Sequence, residues 1–222
     1  MKNLKNTLTI LAALVITHSG TAQQINWRSL NDKQTHIANI NAGWDYGTVM
    51  GIGYGQKLKT KLPIVLNVEY SSAFGETIFD DFKTKLGGQA ELLNINNFSV
   101  AIKAYSIFRR YENDLVRLSS FGSEFSTNIG YYKPKWYVAG EFGFDKAIAT
   151  HIKNSDEMKN NYPGSQDGWY VPTGGNFFYG VTGGYSFKSN DVYLKVGKTV
   201  TQDFKTTPTM PLYAQVGFNI RF

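Results

Sequence analysis

The chain has 222 residues, no cysteine and a formal net charge of +6, which excludes a disulfide framework and a lipid-bearing cysteine and leaves backbone pairing and packing to hold the fold. Its 42% apolar and 15% aromatic residues include no apolar segment long enough to cross a bilayer as a helix, for which about 20 residues are needed. Such a chain either folds as a water-soluble β protein or crosses a membrane as strands. The second route demands a closed barrel, because every backbone group in lipid must be paired.

The N-terminus carries Lys2 and Lys5, then an apolar run over 8–16, then Gly20-Thr21-Ala22. A basic start, a short apolar stretch and a small-x-small end predict a secretory signal over 1–22, cleaved after Ala22. Its removal takes away Lys2 and Lys5 and no acidic residue, so the charge falls from +6 to +4. That modest excess, with no basic run or motif, excludes a nucleic-acid partner. Residues 23–35 are polar and show neither period; they predict a periplasmic lead-in, with Trp27 as a candidate interfacial anchor.

From residue 36 onward the apolar residues alternate, which is the strand period. Over 36–46, Ala38, Ile40, Ala42, Trp44 and Tyr46 oppose Asn39, Asn41, Gly43 and Asp45. Over 48–58, Met50, Ile52 and Tyr54 oppose Gly51, Gly53, Gly55 and Lys57, and over 64–74 Leu66, Val68 and Tyr70 oppose Asn67, Glu69 and Ser71. Residues 82–93 set Leu86 and Leu92 against Lys85, Gln89 and Glu91, and 98–109 set Val100, Ile102 and Phe108 against Ser99, Lys103 and Arg109. Residues 115–132 and 136–150 place Phe121, Phe125, Ile129, Val138, Phe142 and Ile148 opposite Glu124, Ser126, Asn128, Glu141 and Asp145. An irregular stretch over 151–176 follows, then a hairpin of 177–187 and 192–200 that contains Lys195. The closing strand over 212–222 sets Leu212, Ala214, Val216, Phe218, Ile220 and Phe222 against Tyr213, Gln215, Gly217, Asn219 and Arg221.

The end of that last strand is similar to the C-terminal assembly signal of bacterial outer-membrane β-barrels, polar-x-Gly-x-x-apolar-x-aromatic, matched by Gln215, Gly217, Ile220 and Phe222. Residues 36–222 resemble small outer-membrane β-barrel proteins in general, without matching a particular subfamily. The resemblance implies outer-membrane lipid as the surroundings and the insertion machinery as a partner of the closing strand. The alternation itself predicts an all-β chain of ten antiparallel, up-and-down transmembrane strands, with eight as the fallback. Connections after the even strands are short and those after several odd strands long, the asymmetry of periplasmic turns and outer loops.

Alternation does not say which face is outside, since a soluble barrel around an apolar ligand has the same period. The polar face, rich in Gly, Ser and Asn with scattered charges, suits a crowded lumen better than a solvated surface. Aromatic residues gather at strand ends (Trp44, Tyr46, Tyr70, Phe74, Trp136, Phe177, Phe222), where interfacial girdles belong. The membrane barrel is the favoured reading.

On the inward face lie Asp45, Glu69, Glu91, Glu124, Glu141 and Asp145 with Lys85, Lys103, Lys195 and Arg221. They either line a polar pore or pair to fill a small lumen; at ten strands the second is favoured, because small barrels are filled by side chains. The strand count invites comparison with the omptin proteases, whose rim site uses acidic residues with a histidine; His151 near Asp145, Asp156 and Glu157 is the nearest counterpart, but the paired acidic and Asp-His motifs are not found. No nucleophile triad, metal-spaced cluster, phosphate loop or dinucleotide fingerprint is present, so no catalytic residue, metal or cofactor is assigned. The expected function is that of a structural or interaction barrel, a subunit of a larger envelope complex with 151–176 as an outer recognition loop carrying Trp169 and Tyr170 toward a protein partner. A narrow diffusion channel for small polar solutes or ions is the alternative.

Overall fold

The structure is a computed structural model that describes residues 23–222 apart from 32 and 75–78; the expected signal over 1–22 lies outside the described residues. The alternating segments become β1 (His36–Trp44), β2 (Thr48–Lys57), β3 (Ile64–Ala73), β4 (Asp81–Ile95), β5 (Phe98–Glu112), β6 (Val116–Tyr132) and β7 (Trp136–Asn154). After a short helix α1 (Asp156–Asn161) and a three-residue strand β8 (Gly168–Tyr170) come β9 (Asn176–Phe187), β10 (Asn190–Thr201) and β11 (Leu212–Arg221). Each wall strand pairs antiparallel with its sequence neighbours, β7 passes directly to β9, and β11 pairs with β1 from Ile37↔Arg221 to Trp44↔Ala214. The result is a closed ten-stranded up-and-down barrel with no free sheet edge within the wall.

The closing seam is sealed on both sides of the last residue. His36 N donates to Phe222 O and Phe222 N donates to His36 O, each at 2.9 Å, and the two rings stack with centroids 5.5 Å apart. Hairpin ends at 58–63, 96–97, 133–135 and 188–189 share the end at which the chain enters β1. Opposite them, 155–175 and 202–211 make the long outer connections.

Three expectations are corrected by the fold. Tyr46 does not continue β1 toward lipid: the strand ends at Trp44, the tight turn over 45–47 breaks the alternation, and Asp45 and Tyr46 both turn inward and are buried. Residues 151–176 are not wholly irregular, because β7 runs on to Asn154 and β8 pairs with it at His151↔Trp169. Between Gly122↔Ala147 and Phe121↔Ala149 an extra residue, Ile148, forms a bulge in β7, so that Ile152 beyond it points inward and packs with Val116 and Leu118, which are inward by the parity of β6 itself. A one-residue insertion switches the face of everything after it.

The third and largest correction concerns the N-terminus. Residues 23–27 are not a periplasmic lead-in; all five are buried, lying within the barrel. Trp27 is no interfacial anchor but packs with Ile25 against Ile37, Val65, Tyr132, Tyr137 and Tyr193 on the inner wall. The physical reason is that the inner wall offers buried amides and charges needing partners, and a segment of Gln23, Gln24 and Asn26 supplies them. Two buried large apolar side chains add about 1.5–3 kcal/mol each.

Candidate functional site

Among the described residues the lumen is where the fold gathers buried charge, and it is filled. Lys85 Nζ meets Glu124 Oε2 at 2.6 Å, Lys83 Nζ meets Asp45 Oδ2 at 2.7 Å, and Arg221 pairs with Asp191 at 3.2 Å. Glu141 receives two cations at once, Lys103 at 3.0 Å and Lys195 in a second close contact. Lys195 also lies over the Tyr213 ring, 5.3 Å from its centroid, where the ring's negative face assists the carboxylate in holding the ammonium. Lys85, Lys103, Lys195 and Glu124 are each at most 2% exposed. Charges so thoroughly removed from water are held by their partners or not at all.

Ten charged residues set on the inner face by alternation are buried there: Asp45, Glu69, Lys85, Glu91, Lys103, Glu124, Glu141, Asp145, Lys195 and Arg221. Eight of them join ion pairs; Asp145 accepts from Asn176 Nδ2 at 3.2 Å and Glu69 from the Gln23 amide at 2.7 Å. Lys83, Asp191 and Arg28 belong to the same network and escaped the sequence reading. Lys83 and Asp191 were legible, since each stands two residues before an inward residue of its strand, Lys85 and Tyr193. Asp191 sits at the start of β10, just before the 192–200 drawn from alternation, whereas Lys83 lies inside the expected strand over 82–93 and was passed over. Arg28 lies in a segment without period.

The N-terminal segment is woven into this network by side chains rather than by a strand ladder. Gln23 Oε1 accepts from Asn67 Nδ2 at 2.5 Å, and its carbonyl accepts from Gln89 Nε2 at 3.2 Å. Lys103 and Asn219 donate to Gln24 at 3.3 and 2.7 Å, and Asn26 Nδ2 donates to Lys133 O at 2.9 Å and Ser186 Oγ at 2.8 Å. Arg28 binds Glu91, and Arg221 donates to Ser29 O where the segment leaves the lumen. Beside Glu69, Asn41, Tyr70, Ser71, Lys83 and Lys85 line a void of about 10 Å³, the room of a single water.

Inward tyrosines complete the filling, and glycine makes them fit. A Cβ on Gly217 would stand 2.2 Å from the Tyr193 ring, and one on Gly197 the same distance from Tyr213. The spacing of Gln215 and Gly217 in the closing strand therefore has a local cause as well: Gly217 is small because Tyr193 lies over it, and Gln215 points inward to donate to Asn41 Oδ1 at 2.6 Å. Ile220 and Phe222 point outward and are exposed.

Outside, the barrel carries an apolar band. Ile40, Ile52, Leu66, Leu86, Ile102, Phe125, Val181, Leu194 and Val216 are all exposed. Aromatic rings border it at both ends. On the outer side Tyr70, Phe82, Phe108, Phe121 and Trp169 follow one another around the wall with centroids 5.0 to 6.2 Å apart. At the other end Phe98, Tyr131 and Trp136 do the same, as do Tyr54, His36 and Phe222. An apolar band between two aromatic girdles is the exterior of a transmembrane barrel.

Trp169 thus belongs to the outer girdle, and its ring meets His151 edge-on at 5.0 Å. Tyr170 turns its hydroxyl to donate to Gln166 O at 3.1 Å within its own loop. The loop is tied at its base, where Asp167 accepts from Asn154 N at 2.8 Å and Lys159 Nζ at 2.8 Å. Among the described residues His151 is not brought to a carboxylate: Asp145 is engaged with Asn176 inside the barrel, and Asp156 and Glu157 sit in the first turn of α1, outside. Among the described residues no group of three or more His, Asp or Glu side chains is gathered as a metal site.

No family model matches the chain, and no curated protein matches it. Among solved structures it is similar to a KdgM porin in complex with disordered oligogalacturonate, at 11% identity and a TM-score of 0.42, with 84% of this chain and 99% of that chain covered. It is similar at the same identity and coverage, with a TM-score of 0.41, to a KdgM porin. Strand closure, the apolar band and the paired girdles give this chain the build of a transmembrane β-barrel.

Proposed function

We propose that the protein is a sealed outer-membrane barrel of structural or protein-interaction type, exported by the signal over 1–22 and inserted through its closing strand. The observation that carries the reading is the filled lumen. Inward lysines and carboxylates at most 2% exposed leave no water-wide passage at their level, whereas selective conduction needs sites that ions enter and leave. What remains for work is the outer rim, where β6, β7, α1 and β8 rise around 155–175. A protein partner on the outer face is the class of ligand this rim suits. Deleting residues 155–166 and cross-linking intact cells tests it: a specific cross-linked envelope protein, lost on deletion, supports the interaction role, and unchanged adducts contradict it.

One observation favours a second reading, a narrow channel. Residues 23–29 make no strand ladder with the wall, being held by side chains, so they are shaped as a stopper rather than as a wall element. Under that reading the intact protein conducts when the stopper withdraws. Planar-bilayer recording separates the two: silence from the intact protein supports the sealed barrel, and steady, ion-selective conductance replaces it with the channel.

A further inference from the structure

The lumen is one positive charge short. Among the described residues seven buried carboxylates (Asp45, Glu69, Glu91, Glu124, Glu141, Asp145 and Asp191) face six buried cations, and the half-buried pair members Arg28 and Asp81 add one of each sign. Glu69 forms no ion pair with any described lysine or arginine: its neighbours Lys83 and Lys85 are committed to Asp45 and Glu124. Its carboxylate instead takes the backbone nitrogen of Gln23 at 2.7 Å, the short end of the range for a charged donor on a carboxylate. Gln23 is also the residue that follows the small-x-small motif Gly20-Thr21-Ala22.

We infer that Glu69 is the receptor for the protein's own processed N-terminus, so that cleavage supplies the missing charge. Hydrolysis breaks the Ala22–Gln23 C–N bond; water gives its oxygen to the Ala22 carboxylate and a proton to the departing amine, which takes up a second proton near neutral pH. The resulting Gln23 α-ammonium pairs with Glu69 and turns an amide contact into an ion pair in a site shielded from water. The same geometry protects Gln23 chemically. A free N-terminal glutamine cyclises when its amine attacks its own side-chain amide carbon and expels ammonia; here the amine lies on Glu69 while Gln23 Oε1 is held by Asn67.

The test uses the full chain purified from outer membranes. N-terminal sequencing and intact mass should show a free amine at Gln23, neither cyclised nor preceded by other residues. A variant with one serine inserted between Ala22 and Gln23 keeps the Gln23 amide and its hydrogen bond but moves the ammonium away. Its folded-to-unfolded ratio in urea should drop about tenfold, one unit of the logarithmic scale worth 1.4 kcal/mol at that ratio. Glu69→Gln should drop it similarly, and the two changes together should cost no more than either alone. A blocked or displaced N-terminus, or a serine-extended protein as stable as the parent, overturns the inference; the serine variant decides it even where Glu69→Gln fails to insert.

Discussion

Arg28 grips Glu91 with both terminal guanidinium nitrogens, at 2.9 and 3.4 Å, and the nearer one also donates to Ser99 Oγ at 2.7 Å. One residue comes from the N-terminal segment and the other from β4, so this contact ties the stopper to the wall. Glu91 is buried and Arg28 half-buried, which makes the pair stronger than a surface bridge. It stands at the end of the segment nearer the periplasm, below the amide contacts of Gln23 and Gln24.

Glu141 is the point at which the lumen network is most vulnerable. Replacing it with alanine strands Lys103 and Lys195 together in a buried site, and removing one partner of a buried pair costs roughly 3–5 kcal/mol. Urea titration followed by the gel shift between folded and heat-denatured barrel should show a loss of that order. A loss under about 1 kcal/mol would mean that water reaches these lysines.

Leu86 discriminates between lipid and water outside. It is 64% exposed and lies on β4 between the Phe82 ring and the periplasmic end. Leu86→Arg should destabilise the barrel in lipid by about 2–4 kcal/mol near the midplane. On a water-facing wall the same change would stay within about 0.5 kcal/mol, and that smaller number, measured in liposomes, would refute the membrane assignment.

Deleting residues 220–222 removes the Phe222 backbone pair with His36 and their stacked rings, together with outward Ile220. Export should continue while the protein accumulates in the periplasm, read by fractionation and protease protection. Normal insertion of the truncated chain would show that the terminal residues close the seam without directing assembly.

Much of the wall was legible because a barrel strand obeys one rule at every position. Ile40, Leu86 and Val216 face out, and Glu69, Lys103 and Glu141 face in, by parity alone. What parity misses is whatever follows no period. The segment with Gln23, Gln24, Asn26 and Arg28 is held by side-chain hydrogen bonds to residues far away in sequence, which leave no local pattern. Its signal was compositional: a run of amides with a single tryptophan is unusual for a solvated leader. Tyr46 was misplaced because a tight turn resets parity, and Ile152 is inward only because Ile148 bulges. α1 did leave a mark, Ser155 before two acidic residues, with Ser155 Oγ accepting from Met158 N at 3.2 Å as a helix cap does.

The outer loop should loosen in acid. Hydrogen bonds from Lys159 first, then from the Asn154 backbone, hold the Asp167 carboxyl down to about 2. A carboxylate whose folded value is depressed contributes order above its unfolded value, about 3.9, and loses it as pH falls through the folded one. Pepsin cleavage between residues 155 and 175 should therefore rise from about pH 4 toward pH 2. Asp167→Asn should be cleaved readily across that whole range. Cleavage of the parent that does not change with pH would show that Asp167 does not fasten the loop.

The sealed lumen is tested most directly by single-channel recording in planar bilayers, comparing the intact protein with a variant whose residues 24–30 are replaced by a glycine-serine linker. The account predicts silence from the intact barrel, and at most brief, unselective leaks from the variant, whose ion pairs among Lys85, Glu124, Lys103, Glu141 and Lys195 still crowd the wall. Steady, ion-selective conductance from the intact protein would contradict it.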